Sequence, residues 1–188
     1  MSYQLKRKRT GLSLIELTAV IAILGITALA LIPNLSSTDT IKLELAADQV
    51  AQALRFARSE AIRTGEHHGV TISREIQRVK VIKWDLTTNP VSTESVPYHP
   101  LSKQGFEFDV EGLSLAPGIL ISNSEDIFLY TVIGRRHSLI FDPQGVPIWI
   151  LGSDGSDYRL LEGIVELSAG EDQRSISVAP LTGRVTIQ

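Results

Sequence analysis

The first part of the chain contains an unbroken run of apolar residues. Nearly every residue between positions 12 and 32 is apolar or small, and Glu16 is the only charged one. At about 1.5 Å per residue, a helix of this length spans the hydrocarbon core of a bilayer. We therefore predict a transmembrane helix over residues 12–33. Pro33 lacks a backbone donor, so it either bends the helix or ends it at the membrane surface, and the sequence leaves both possibilities open.

A second pattern, with the period of an amphipathic helix, follows in residues 34–65. Apolar side chains recur there every three or four positions, while polar side chains occupy the opposite face. The apolar positions are Leu43, Ala47, Val50, Leu54, Ala57 and Ala61. Gly65 is a suitable C-terminal stop. The pattern predicts a stem helix of about 25 residues that packs one face on a sheet.

The remaining residues, 66–188, contain short β-rich runs separated by turn residues. Phe106, Phe108 and Val110 alternate with acidic residues, which is the pattern of a half-buried strand. We predict strands at 69–73, 78–84, 105–110, 118–122, 127–133, 137–141, 146–151, 163–167, 175–179 and 184–187. Residues 85–104, with three prolines, are predicted to form a long loop.

These elements together predict an α+β fold. No helical pattern interrupts the strands, so consecutive strands should pair antiparallel. The expected architecture is a long N-terminal helix, with a transmembrane half and an amphipathic half, packed on antiparallel β-sheets of a C-terminal globular domain. Turns are expected at 142–145, where proline occupies the second position, and at 180–183.

Charge distinguishes the N-terminal residues from the rest of the chain. Lys6, Arg7, Lys8 and Arg9 directly precede the apolar run, and the positive-inside rule keeps such residues in the cytoplasm. The chain has 18 Lys and Arg residues and 21 acidic residues. Without these four basic residues and Glu16, 14 basic and 20 acidic residues remain, which gives the rest of the chain a net charge of −6. This acidity argues against nucleic-acid binding as its main role, because such binding requires Lys and Arg to neutralise phosphates.

The residues around Gly11 match a known processing site. The stretch KRKRTGLSLIEL contains a basic leader, a glycine and an apolar run with Glu in fifth place, and it resembles the cleavage site of type IV prepilins and pseudopilins. The resemblance implies that prepilin peptidase cleaves after Gly11 and releases residues 1–11 as a leader peptide. It also implies that Leu12 becomes the N-methylated first residue and that Glu16 acts in assembly. Leu12 and Ser13 replace the more usual phenylalanine and threonine.

Electrostatics agrees with an assembly role for Glu16. Cleavage would remove four cations and leave an α-amino cation at Leu12, one helical turn from Glu16. In a medium of low dielectric constant, the amine of an incoming subunit would be attracted strongly to a carboxylate already in the membrane. The alternative is that Glu16 lies near enough to the membrane surface to reach water and has no such role.

Three further stretches indicate which group of pilin-like proteins the chain resembles. The sequences AADQVAQALRFARSEAIRTGEHHGVTI, LIFDPQGVP and LTGRVTI are similar to those of H-type minor pseudopilins of type II secretion, in the GspH/FimT family of type IV pilin-like proteins. The resemblance implies a structural subunit of a pseudopilus that is anchored in the inner membrane, has a periplasmic domain and supports export of folded proteins. Expected partners are the pseudopilins of the filament core and tip, prepilin peptidase, the inner-membrane secretion platform and membrane lipid.

Two other functions remain open from the sequence. A FimT-like minor pilin would act in type IV pilus assembly, adhesion or DNA uptake, and Arg135 and Arg136, predicted in a turn before a strand, could contribute to a basic patch with Arg159, Arg174 and Arg184. A single-pass membrane enzyme or receptor would bind a ligand with its β domain and keep residues 1–11.

Catalytic and metal-binding chemistry is not evident in the sequence. The chain has no cysteine, which excludes disulfides and thiolate sites, and it contains no phosphate loop or nucleophile elbow. Adjacent His67 and His68 should point apart, and His99 and His137 are isolated. Residues 154–157 are rich in oxygen ligands but lack the spacing of a calcium loop, so a plain turn is favoured. We expect no enzyme activity, no cofactor and no metal.

Overall fold

The computed structural model describes residues 13–30, 35–85, 92–94, 97–99, 101–150 and 157–188. The chain divides into two compact units, Met1–Leu35 and Ser36–Gln188. The first contains helix α1, Leu14–Ala30. The second contains nearly all of helix α2, Leu35–Thr64, and every described strand.

Twelve strands follow α2 in the described part of the chain. They are β1 His68–Ser73, β2 Arg78–Asp85, β3 Ser92–Glu94, β4 Glu107–Asp109, β5 Leu120–Ile121, β6 Phe128–Tyr130, β7 Gly134–Arg136, β8 Ser138–Phe141, β9 Pro147–Ile150, β10 Asp157–Ala169, β11 Asp172–Val178 and β12 Val185–Ile187. Neighbours in the sheet follow the order β12-β11-β10-β9-β8-β1-β2-β3. All pairings between these strands are antiparallel, as predicted.

The amphipathic stripe of α2 packs on this sheet and forms the core with it. All six predicted apolar positions are buried, and the stripe also includes Ala46, Ala51 and Ala53. Because so many of these side chains are small, the helix can lie close to the strands, which contribute larger residues such as Phe128, Leu139 and Phe141. The predicted α+β fold, with a helix packed on a curled antiparallel sheet, is confirmed.

The three stretches that carried the family resemblance meet at one place in this core. Arg58 of α2 donates a hydrogen bond from Nε to the carbonyl oxygen of Gly145, 3.1 Å away, in the β8–β9 turn. A Cβ atom on Gly183, in the β11–β12 turn, would collide with that same carbonyl oxygen. Both glycines have positive φ, 78° and 63°. Both predicted turns are therefore present, and each brings a glycine against the stem helix.

The structure corrects the strand assignment at three places. Ser92–Glu94 forms β3 and pairs with β2, inside the segment that was predicted to be a loop. Gly134–Arg136 forms β7 and pairs with β6, so the assignment of Arg135 and Arg136 to a turn was wrong. Strand β10 extends over Asp157–Ala169, well beyond the predicted 163–167, because four other strands pair with it along its length.

Candidate assembly site

Helix α1 presents apolar side chains on all sides. Ser13 precedes it, and its carbonyl oxygen accepts hydrogen bonds from the backbone N–H groups of Glu16 and Leu17, at 3.0 and 3.1 Å. Every side chain from residue 13 to residue 26 is exposed, and Leu14 and Ile15 are 81% and 75% exposed. A helix that is apolar all round requires a surrounding apolar phase or apolar neighbours.

Glu16 is the single charged residue of this helix and lies in its first turn. The unpaired N–H groups at a helix N-terminus carry partial positive charge, so a carboxylate is favourable there. Thr18 of the next turn donates its hydroxyl to the carbonyl oxygen of Ile15, 2.9 Å away, which satisfies a polar group within the apolar surface.

The other predicted site residues, Gly11, Leu12 and Pro33, lie outside the described residues. Cleavage, N-methylation and the helix kink therefore stay predictions. Within the part of the chain that the structure describes, no helix combines the length and the apolar character needed to cross a membrane.

One arginine of the candidate basic patch, Arg135, is paired with acidic side chains. Arg135 lies 2.9 Å from a carboxylate oxygen of Glu125 and 3.3 Å from one of Glu162. The guanidinium group of Arg136 donates to the carbonyl oxygen of Arg135 and lies 5.9 Å from the ring centre of Trp149. A paired arginine attracts phosphate less, so Arg135 contributes less to a basic surface than its charge alone would suggest.

Aromatic residues form a cluster that the sequence pattern did not predict. Trp149 contacts Trp84 and Tyr130, with ring centres 5.8 and 5.7 Å apart. The hydroxyl of Tyr130 donates to the carbonyl oxygen of Ser138, 3.1 Å away, and burial raises its pKa far above the usual value. The three aromatic residues come from three separate strands, so no local motif could have predicted the cluster.

Three of the histidines can be described by what they contact and how exposed they are. His68 is buried at the start of β1, and its Nδ1 atom lies 3.1 Å from the carbonyl oxygen of Glu66. His99 stacks edge-on against Phe106, while His137 is exposed. Among the described residues, no three histidine or acidic side chains are grouped closely enough to hold a metal ion.

A stem helix laid on a curled antiparallel sheet, with a separate apolar helix carrying one carboxylate, defines a pilin-like protein. The family model described as type II transport protein GspH matches residues 46–182. The chain therefore belongs to the GspH family. That match spans two of the three stretches quoted above and the first two residues of the third, and it confirms the resemblance inferred from them.

Two solved structures are similar to this chain. The minor pseudopilin EpsH of the type 2 secretion system of Vibrio cholerae is 13% identical, with a TM-score of 0.50, over 78% of this chain and 96% of that one. The type IV minor pilin FimU of Pseudomonas aeruginosa is 12% identical, with a TM-score of 0.43, over 78% and 92%. No curated protein matches the sequence. The family match thus shows the GspH family, and the structural match shows the pilin-like fold.

Proposed function

We propose that this chain is a structural minor pseudopilin of a type II secretion pseudopilus, that it has no enzyme activity, and that Glu16 is its assembly carboxylate. The observation that carries the proposal is an apolar helix whose side chains are exposed from residue 13 to residue 26, with one carboxylate in its first turn. Exposed apolar surface of this extent is costly in water and stable only when covered. Lipid would cover α1 before assembly, and the corresponding helices of other subunits would cover it afterwards.

The proposed processing follows from the sequence around this helix. Prepilin peptidase cleaves after Gly11, the new amine at Leu12 is methylated, and Pro33 is the point at which the N-terminal helix bends. Before cleavage the chain is a single-pass inner-membrane protein with residues 1–11 in the cytoplasm and residues 66–188 in the periplasm. Its partners are the core and tip pseudopilins, the peptidase, the secretion platform and membrane lipid. The GspH family match favours secretion over the type IV pilus alternative.

The proposal is tested by following cleavage and assembly separately. The full chain is produced with prepilin peptidase and the pseudopilins of its own secretion system, then purified in detergent. Its mass should correspond to a chain that begins at methylated Leu12. We expect Glu16→Ala to be cleaved normally but to retain about tenfold less of the other pseudopilins, because loss of a buried ion pair costs at least about 1.4 kcal/mol.

The matched control is Glu44→Ala, which removes an exposed carboxylate of α2. It should be cleaved and assembled like the unchanged chain. A protein that supports secretion while keeping residues 1–11 would contradict the proposal, and so would equal retention of pseudopilins by the two variants. A full-length, ligand-binding form would instead favour the membrane receptor hypothesis.

A further inference from the structure

Strand β10 changes partners along one of its edges. In a β-strand, the N–H and C=O of a residue point to the same edge, and successive residues alternate. The carbonyl oxygen of Arg159 accepts the backbone N–H of Thr131 at 3.0 Å, and that of Glu166 accepts the N–H of Ser122 at 2.9 Å. These two residues are seven apart, and the register shift between Leu160 and Glu162 brings both carbonyl groups to the same edge. The segment that contains β5 and β6 therefore follows that edge of β10.

The other edge of β10 is divided between β9 and β11. Strand β9 pairs with Asp157, Tyr158 and Arg159, and β11 pairs from Ile164 onwards. Between these two ladders, residues 160–163 pair with β6 on the first edge, and no described strand pairs with them on the second. Unpaired backbone at a sheet edge is a template for another strand.

An apolar groove of about 470 Å³ lies at this gap. Leu161, Gly163 and Ile164 form one wall, and the end of β11 with Ala179 and Pro180 forms the other. Leu161 is 55% exposed and contributes apolar surface to the groove. The groove thus combines an unpaired strand edge with apolar walls, the two features that bind an extended peptide by strand addition.

Charge at the groove favours an acidic partner. Glu162 is already paired with Arg135, at 3.3 Å. Arg184 also lines the groove, its side chain is exposed, and it forms no ion pair within the described residues. Arg184 is therefore a cation available to a carboxylate on the occupant.

We propose that this groove receives an extended segment of a neighbouring pilin-like subunit, which pairs with residues 160–163 of β10 and places a carboxylate at Arg184. The occupant has apolar side chains at alternate positions, since those on one face of an added strand contact the apolar walls. The identity of the neighbour rests on the proposed function, whereas the groove itself does not.

The test uses the Ser36–Gln188 unit, which has its own core, and two short blocked peptides as probes. One peptide alternates valine with glutamate, and the other has lysine in place of glutamate. At millimolar concentration the glutamate peptide should shift the backbone amide signals of Leu161 and Gly163 and slow their hydrogen exchange. A version with methylated backbone nitrogens should not bind, because it cannot donate the strand hydrogen bonds.

Two matched variants test the charge. Arg184→Gln should weaken binding of the glutamate peptide about threefold, the usual effect of one exposed ion pair. Lys103→Gln removes an exposed cation that does not line the groove, and it should leave binding unchanged.

Absence of amide shifts at Leu161 and Gly163, equal binding of both peptides or unchanged binding to Arg184→Gln would overturn the proposal. The same amide signals could also shift in the absence of peptide, by an amount that grows with protein concentration. That result would mean that the groove binds a second copy of this chain rather than a neighbouring subunit of another kind. Because this fragment lacks Gly11 and Glu16, the result is independent of the cleavage and assembly test. Either proposal can therefore fail while the other holds.

Discussion

At the scale of single residues, Gly183 shows why the turns in LIFDPQGVP and LTGRVTI contain glycine. Its φ of 63° lies in the left-handed region, and an added Cβ would meet the Gly145 carbonyl oxygen and also Arg58 and Phe141. Backbone conformation and close packing thus both require glycine there. Gly170, in the β10–β11 turn, has a similar φ of 59° but nothing within 4 Å of an added Cβ.

This difference gives a prediction for Gly183→Ala. We expect it to lower the free energy of unfolding of the Ser36–Gln188 unit by about 1–3 kcal/mol from backbone strain, and by roughly 1 kcal/mol or more beyond that from the collision. Gly170→Ala should show the backbone cost without the collision. Urea unfolding of both variants measures the difference. Equal losses would mean that the β8–β9 and β11–β12 turns are not packed together as described.

Residue patterns predicted the proposed assembly site but not the groove. Glu16 could be identified because a lone carboxylate in an apolar run is unusual at any position. The neighbouring glycine and basic leader then indicated a prepilin processing site. Leu161 and Arg184 carry no comparable signal. They become neighbours because β9 and β11 leave part of β10 unpaired, which is a property of strand pairing over long sequence separations.

At the scale of elements, the sequence predicted α2 and most strands because their patterns are periodic. The helix extends to Thr64, one residue before the predicted stop at Gly65, which has a φ of 71°. The missed strands are short or polar: β3 and β7 have three residues each, and the first half of β10 contains Asp157, Arg159 and Glu162. Such segments become strands through partners on the sheet rather than through their own composition.

The small residues of α2 lead to a prediction about packing. Ala57 is fully buried on the face toward the sheet, so Ala57→Leu would force extra methylene groups into a filled core. We expect a loss of about 1–3 kcal/mol in the free energy of unfolding. Gln52→Leu places the same side chain on the exposed face of the same helix and should change stability little. If urea midpoints of the two variants coincide, the helix is not held as close to the strands as its alanines indicate.

At the scale of the whole molecule, the division into Met1–Leu35 and Ser36–Gln188 predicts that the second unit folds by itself. All buried residues of the core, from Leu43 to Val185, belong to it. In matched detergent, the isolated unit should therefore unfold at the same urea concentration as the full chain, as measured by the near-ultraviolet signal of its two tryptophans. A shorter fragment that begins at Asp48 lacks Leu43, Ala46 and Ala47, all almost fully buried.

The free energy of unfolding of the shorter fragment should be lower by at least about 2–5 kcal/mol, the usual cost of removing one buried leucine. The fragment also lacks the hydrogen bond from the Thr40 hydroxyl to Asp172. A stable fragment from Asp48 would contradict the packing of the first turns of α2 on the sheet. Weaker folding of the unit from Ser36 than of the full chain would instead mean that residues 1–35 contribute to its stability. If the unit from Ser36 folds alone, the β-rich unit does not need α1 as a core element, which is compatible with the assembly role proposed for α1.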